Sequence, residues 1–184
     1  MAKVAVVFHS GYGHTLRMAQ SVADGAGAEM VAIDADGNVS DAGWATLHAA
    51  DAIIMGSPTY MGSVSWQFKK FADASSKPWF SQAWKDKVFA GFTNSATMNG
   101  DKHSTLHYLF TLAMQQGGIW AGTALMPANN KAAQRNDVNY VGSFAGAMAQ
   151  SPSDSSAAEM LSGDLETARL LGLRVAEVAA KFSR

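Results

Sequence analysis

Val4-Ala5-Val6-Val7-Phe8-His9-Ser10-Gly11-Tyr12-Gly13-His14-Thr15 is the stretch whose reading decides the fold. Its first five residues are apolar without alternation and rich in valine, as in a strand buried on both faces of a parallel sheet. The run then breaks into glycine and polar residues. From Thr15 the period becomes helical, with Leu16, Ala19, Val22, Ala23 and Ala26 on one face and Gly25 and Gly27 expected to close it. Strand, glycine-rich turn and helix together open a βαβ unit.

The same alternation continues along the chain. Met30-Val31-Ala32-Ile33 reads as a second strand. Ser40 and Asp41 cap a short helix carrying Trp44, Leu47 and His48. Ala52-Ile53-Ile54-Met55-Gly56 is a third strand, and Ser57-Pro58-Thr59-Tyr60-Met61-Gly62 a loop by its Pro and Gly. Val64, Phe68, Phe71 and Ala72 mark a helix, 87–92 a fourth strand, Leu106, Leu109, Phe110 and Ala113 a further helix, and 119–125 a fifth strand. Residues 127–162 have no period and are rich in Asn, Ser, Gly and Ala, so they read as disordered or functional. Their Tyr140, Val141, Phe144 and Met148 are expected to be buried against a neighbouring subunit. Asp164 and Glu166 then open a last helix, where its dipole favours them, and its face carries Leu165, Ala168, Leu171, Val175 and Ala179. Five strands alternating with helices specify an α/β fold, a doubly wound parallel sheet with helices on both faces. Residues 1–184 read as a single domain.

Composition narrows the function. The chain has 184 residues, 48% apolar and 16% charged, with 14 Lys plus Arg against 15 Asp plus Glu. A net charge of −1 gives no drive toward nucleic acid or an anionic membrane, so neither is expected as a partner. There is no cysteine, which removes thiol redox chemistry, cysteine nucleophiles and thiolate metal sites. Redox work would therefore need a cofactor. No apolar run approaches a signal h-region or a membrane span, and the expected compartment is the cytoplasm.

In a doubly wound sheet ligands bind beyond the carboxyl ends of the strands, so the loops there carry the chemistry. The first, Ser10 to Thr15, concentrates small residues and hydroxyls at a helix start and suits a phosphate. It is no Walker A loop, since no GKS or GKT follows, and Leu16 stands where a dinucleotide fingerprint wants its third glycine. A monophosphate fits better, the alternative being a turn that only joins strand to helix. Thr93-Asn94-Ser95-Ala96-Thr97-Met98-Asn99-Gly100 has the same character at the same edge. With Pro58, Thr59, Tyr60, Met61 and Gly62 between them, the loops would surround a flat ring with polar edges and one phosphate, the description of FMN.

On these loops the chain resembles the flavodoxin-like superfamily and, within it, the tryptophan-repressor-binding-protein family of NAD(P)H:quinone oxidoreductases. Gly163-Asp164-Leu165-Glu166-Thr167-Ala168-Arg169 resembles that family's last helix. The resemblance implies a flavodoxin-like sheet of order 2-1-3-4-5 and FMN as cofactor. It implies that Ser10, Gly11, Tyr12, Gly13, His14 and Thr15 hold the phosphate, that Pro58, Thr59, Tyr60, Met61 and Gly62 line the ring, and that Thr93, Asn94, Ser95, Ala96, Thr97 and Gly100 wrap the pyrimidine edge. Trp79 matches a tryptophan bordering the substrate pocket. A homotetramer is implied, with flavin pockets near subunit contacts. Two positions depart from the family. Gln115 and Gln116 stand where relatives carry a histidine, and Gln cannot titrate. Tyr60-Met61 replaces a frequent Arg-Phe.

The remaining candidates have plainer readings. His103 and His107 are spaced i, i+4, but with Ser104 between them and no third ligand they read as surface histidines, and no metal is assigned. The five tryptophans are read as mostly core and Lys69-Lys70 as a solvated face. The leading expectation is an FMN enzyme passing two electrons from the co-substrate NAD(P)H to a quinone or similar acceptor, with no catalytic side chain assigned. The alternatives are a flavodoxin-type electron carrier without its own substrate and a flavin-free interaction module.

Overall fold

A computed structural model describes residues 2–182. In chain order the elements are β1 (Val4–Phe8), α1 (His14–Ala26), β2 (Glu29–Ala32), α2 (Asp41–Ala49), β3 (Ala52–Tyr60), β4 (Ser63–Val64), α3 (Trp66–Ala74), α4 (Ser76–Phe80), β5 (Val88–Ser95), α5 (Lys102–Gln115), β6 (Ile119–Trp120), β7 (Ala147–Gln150) and α6 (Ser162–Phe182). The strands run β2-β1-β3-β5, with β6 and β7 both beside β5, and all these neighbours are parallel. This is the flavodoxin-like doubly wound order expected from the resemblance.

Strand periodicity divides the core in two. Val4, Val6 and Phe8 of β1 join Ile54, Ala90 and Phe92 beneath Met18 and Val22 of α1 and Leu171 and Val175 of α6. Ala5, Val7, Ile53, Met55 and Phe89 face the other way, against Leu47, Phe68, Phe71, Leu106 and Leu109. Each Val, Leu, Ile, Phe or Met among them contributes about 1.5–3 kcal/mol of burial. Both faces are covered, as unalternating strands require.

Gly27 ends α1 in the left-handed region at φ 61°, and the N–H of Ala28 returns to Ala23 O. Gly25 does not end the helix. A Cβ there would stand 1.9 Å from Arg169 O, and one at Gly172 would stand 2.0 Å from Val22 O. These two glycines let α1 and α6 cross in backbone contact.

Three expectations are corrected. The stretch 57–60 is not loop. β3 continues through Pro58 to Tyr60, turns over Met61 (φ 48°) and Gly62 (φ 80°), and returns as β4 in antiparallel pairing. Positive φ at both turn residues makes a type I′ hairpin. Pro58 is tolerated because it falls between the end of β1 opposite Gly56 and the start of pairing with β4 at Thr59, so on that side no strand pairs with it.

Strand five is interrupted as well. β6 pairs only with Val88 and Phe89; the chain then leaves over 121–146 and returns as β7 along Phe92 to Ser95. Finally, the excursion is ordered within its own chain. Arg135 makes a bidentate ion pair with buried Asp164 at 2.8 and 2.7 Å, and Asn139 N–H donates to Thr167 Oγ1 at 2.7 Å. Thr123 N–H and Trp120 Nε1 donate to Phe144 O and Ala145 O. Of Tyr140, Val141, Phe144 and Met148, only Phe144 is exposed, at 58%.

Candidate functional site

The carboxyl ends of β1, β3, β5 and β7 open into a cleft of about 530 Å³, within the ~300–1,000 Å³ usual for small-molecule sites. Tyr12, His14 and Thr15 come from the first loop, Pro58, Thr59 and Tyr60 from β3, and Asn94, Ser95 and Ala96 from the end of β5. The three regions expected to converge do so.

The first loop is built around Ser10. Its Oγ accepts from Gly13 N–H at 3.1 Å and from Leu16 N–H at 3.0 Å, which fixes the turn at the start of α1. Gly13 takes φ 91°, a conformation that favours glycine. Arg17 N–H begins the helical pattern by donating to Gly13 O. Among the described residues the N–H groups of His14 and Thr15 have no protein acceptor, and at a helix start such donors suit an anion. The imidazole Nε2 of His14 donates to Ser155 O at 3.0 Å.

That last contact introduces a wall the sequence did not reveal. Ser151, Pro152, Ser153 and Ser155 also line the cleft. β7 delivers them: Ser151 N–H donates to Ser95 O at 3.1 Å, and Ser151 Oγ donates to Asn94 Oδ1 at 2.9 Å. Gln150 N–H donates to Asp164 Oδ2, so the Arg135–Asp164 pair also secures this wall.

On the opposite side Tyr12 and Tyr60 meet edge to face, centroids 6.3 Å apart. Burial, with Tyr12 beside it, raises the Tyr60 phenol above its ordinary range and keeps it neutral. Beneath the cleft Thr59 Oγ1 lies 2.8 Å from both Thr93 Oγ1 and Thr105 Oγ1. Thr93 is fully buried and acts as floor. His9, at the end of β1, is also buried; its Nδ1 lies 2.8 Å from Ser65 Oγ, and burial lowers its pKa.

Ser10, Gly11 and Gly13 thus shape the first loop without lining the cleft, and Met61 and Gly62 form the exposed hairpin tip. Thr97 and Gly100 belong to the turn beyond the cleft-lining residues. Trp79 is on α4, 44% exposed, in a separate depression of about 320 Å³ with Ser75, Tyr108, Gln115 and Gln116. Gln116 is buried and its Nε2 donates to Ser75 O and Oγ at 3.0 and 2.9 Å. In a single chain Trp79 therefore does not border the cleft. Trp66, read as core, is 61% exposed.

The lining contains no carboxylate, ammonium or guanidinium. It therefore offers amide and hydroxyl donors at one end, an aromatic pair at the rim, and no negative charge to oppose a phosphate. These features fit FMN: unpaired N–H groups meet its phosphate, and a neutral, partly apolar chamber receives its ring.

The comparisons agree with that chemistry. Residues 38–131 match the family model for NADPH-dependent FMN reductase, which takes in the second and third loops. Flavodoxin FldP of Pseudomonas aeruginosa is 55% identical over 99% of each chain. An NAD(P)H dehydrogenase (quinone) of Gluconacetobacter diazotrophicus is 35% identical over the full length of both. The crystal structure of a flavodoxin, WrbA-like protein from Agrobacterium tumefaciens superposes over 100% of both chains with TM-score 0.82 and 56% identity. The chain belongs to the flavodoxin-like family of NADPH-dependent FMN reductases, FMN-binding oxidoreductases related to the NAD(P)H dehydrogenases (quinone).

Proposed function

We propose that the chain binds FMN in this cleft and passes two electrons from NAD(P)H to a quinone or similar flat acceptor. The observation that carries the reading is the uncharged cleft whose one end is a helix start with unpaired amides. FMN, when bound, supplies the hydride chemistry. The chain's residues bind and orient it.

Ser10 holds the turn of Gly11, Tyr12 and Gly13, so that the amides of His14 and Thr15 and the Thr15 hydroxyl donate to phosphate. Pro58, Thr59 and Tyr60 line the ring, with Met61 and Gly62 at the hairpin tip above it. Asn94, Ser95 and Ala96 follow the pyrimidine edge over the floor made by Thr93; Thr97 and Gly100 extend that edge in the turn beyond, and Ser151, Ser153 and Ser155 close the side opposite Tyr60. No catalytic acid is assigned, since the chemistry resides on the flavin and the lining holds no carboxylate, ammonium or guanidinium. Residues 1–184 act as one unit in this reading. Among the described residues no helix is long and apolar enough to cross a membrane. A chain that draws on NAD(P)H works where that nucleotide is supplied, and the cytoplasm is the proposed compartment.

Trp79, Gln115 and Gln116 share one depression apart from the cleft, and in the homotetramer that the family resemblance implies the depression of one protomer would face the cleft of another. Trp79 would then border a neighbour's substrate space. Gln116 is engaged with Ser75 and has no proton to exchange near neutrality, so it supplies none to the acceptor.

A second reading, an electron carrier with no substrate of its own, is favoured by one observation: the two relatives described above at 55% and 56% identity are both named flavodoxin. The net charge of −1 supports the enzyme, since carriers find partners through acidic surfaces. Steady-state oxidation of NADH and NADPH with benzoquinone separates the two. Turnover with either nucleotide is expected, and none with both would leave the carrier.

A further inference from the structure

Lys102 opens α5, is fully buried, and among the described residues has no carboxylate within salt-bridge distance. Its Nζ donates to Thr97 O at 2.5 Å, Met98 O at 3.0 Å and Asn99 O at 3.3 Å. These carbonyls belong to the exposed turn that continues the cleft-lining Asn94, Ser95 and Ala96. Their peptide bonds are trans, so each carbonyl aimed at the ammonium turns the next N–H the opposite way. The N–H groups of Met98, Asn99 and Gly100 accordingly point away from Lys102. Among the described residues none of the three has a protein acceptor.

We propose that Lys102 is a positioning residue for the cofactor: by drawing in three carbonyls it sets the amides of Met98, Asn99 and Gly100 as donors to the oxygen-bearing edge of the ring. This rests on the FMN reading above. Nothing in the local packing needs the charge. The carbonyls it serves lie in an exposed turn that can rotate them out to water once the charge is gone, and an ammonium buried outside an ion pair carries a desolvation cost that an apolar side chain does not. Lys87 makes a contrasting staple at the other end of the sheet, donating to Leu47 O, His48 O and Ala50 O at the end of α2, remote from the cleft.

Burial pushes Lys102 down to about 8, against a smaller upward pull from Asp164 on α6 and a downward push from Arg135 on the excursion. Asp101 and His103 flank it with exposed side chains, and the strands packed on α5 bring no carboxylate, ammonium or imidazole. A bound edge that accepts from the aligned amides favours the charged lysine. FMN affinity should therefore be full below pH 8 and fall as pH rises above it. The phosphate, with its second pKa near 6, is already dianionic throughout that window.

The test is titration of the full-length chain with FMN, followed by flavin fluorescence quenching from pH 7 to 9.5, with Tm of the FMN-free chain measured alongside. Lys102→Met should raise Kd roughly tenfold at pH 7, the equivalent of about 1.4 kcal/mol, while Tm stays equal or rises. Lys102→Arg should bind within about threefold of wild type at pH 7, because guanidinium does not titrate here, and its Kd should stay flat to pH 9.5 where that of wild type climbs. Lys87→Met should lower Tm and leave Kd unchanged. If wild type binds FMN but Lys102→Met binds equally well, or Lys102→Arg loses affinity above pH 8 as wild type does, the role is overturned. Should Lys102→Met not fold, the pH profile of Lys102→Arg decides alone. Wild type that fails to bind FMN at all refutes the reading beneath as well.

Discussion

Replacing Ser10 by alanine removes a single oxygen on which the whole first loop depends. That oxygen accepts from both Gly13 N–H and Leu16 N–H, at 3.1 and 3.0 Å. A hydrogen bond of this kind is worth about 0.5–1.5 kcal/mol net, and losing a helix cap costs about 0.5–2 kcal/mol, so about 1–3 kcal/mol is at stake. The loop is partly exposed, and water takes over the freed donors in the FMN-free chain, where Tm should fall by only a few degrees at about 2–4 °C per kcal/mol. Binding then has to restore the turn that aims the amides of His14 and Thr15, so most of the loss reappears in affinity. At 1.4 kcal/mol per tenfold, Kd for FMN should rise roughly 5- to 100-fold. Ser10→Thr keeps the acceptor and should stay near wild type. Fluorescence titration at pH 7.5 reads all three. A Kd for Ser10→Ala within threefold of wild type would place the phosphate elsewhere and refute the assignment of this loop.

Three further outcomes are expected. Asp164→Ala leaves partly buried Arg135 without its partner and frees Gln150 N–H, so it should cost about 3 kcal/mol, lower Tm on the order of 10 °C and weaken FMN binding through the 151–155 wall; calorimetry showing an unchanged Tm would contradict this. Burial lowers the pKa of His9 below its ordinary 6.5, so the unfolded chain takes up that proton first and stability declines as pH falls below 6.5. His9→Asn should flatten Tm between pH 7.5 and 5 relative to wild type, and equal slopes would exclude His9 as the cause. Trp79→Ala should leave FMN content and Tm nearly intact, since the ring is 44% exposed, and lower kcat/KM for quinone several-fold, as expected for about 0.5–1.5 kcal/mol of lost stacking; a colourless variant that melts early would show a packing role instead.

The sequence disclosed the parts of the fold that long apolar runs write plainly. β1, β3 and β5 are central strands buried on both faces, and their unbroken Val, Ile and Phe made them readable together with the helices between them. β7 was hidden because Ala147-Met148-Ala149-Gln150 has two-residue alternation over only four positions, with small alanines where β-branched residues would mark a strand. Since Ser151 to Ser155 follow β7, the fourth wall was lost with it; the usable signal was the serine-rich run just before the last helix. Pro58 suggested a loop because a proline opposes a central strand, and only the three-dimensional end of β1 shows that β3 is locally an edge there. Nothing in the sequence singled out Lys102, for burial of a long cationic side chain by tertiary packing leaves no periodic trace.

The account stands on what the cleft holds. The most direct measurement is to purify the full-length chain, release any bound flavin by heat and identify it by chromatography against its protein concentration. The first loop is fixed by Ser10 around one phosphate and lacks the glycine that a pyrophosphate would need at Leu16, so FMN should be recovered at close to one per chain. Recovery of FAD, or of a chain that neither carries flavin nor takes up added FMN, would contradict it.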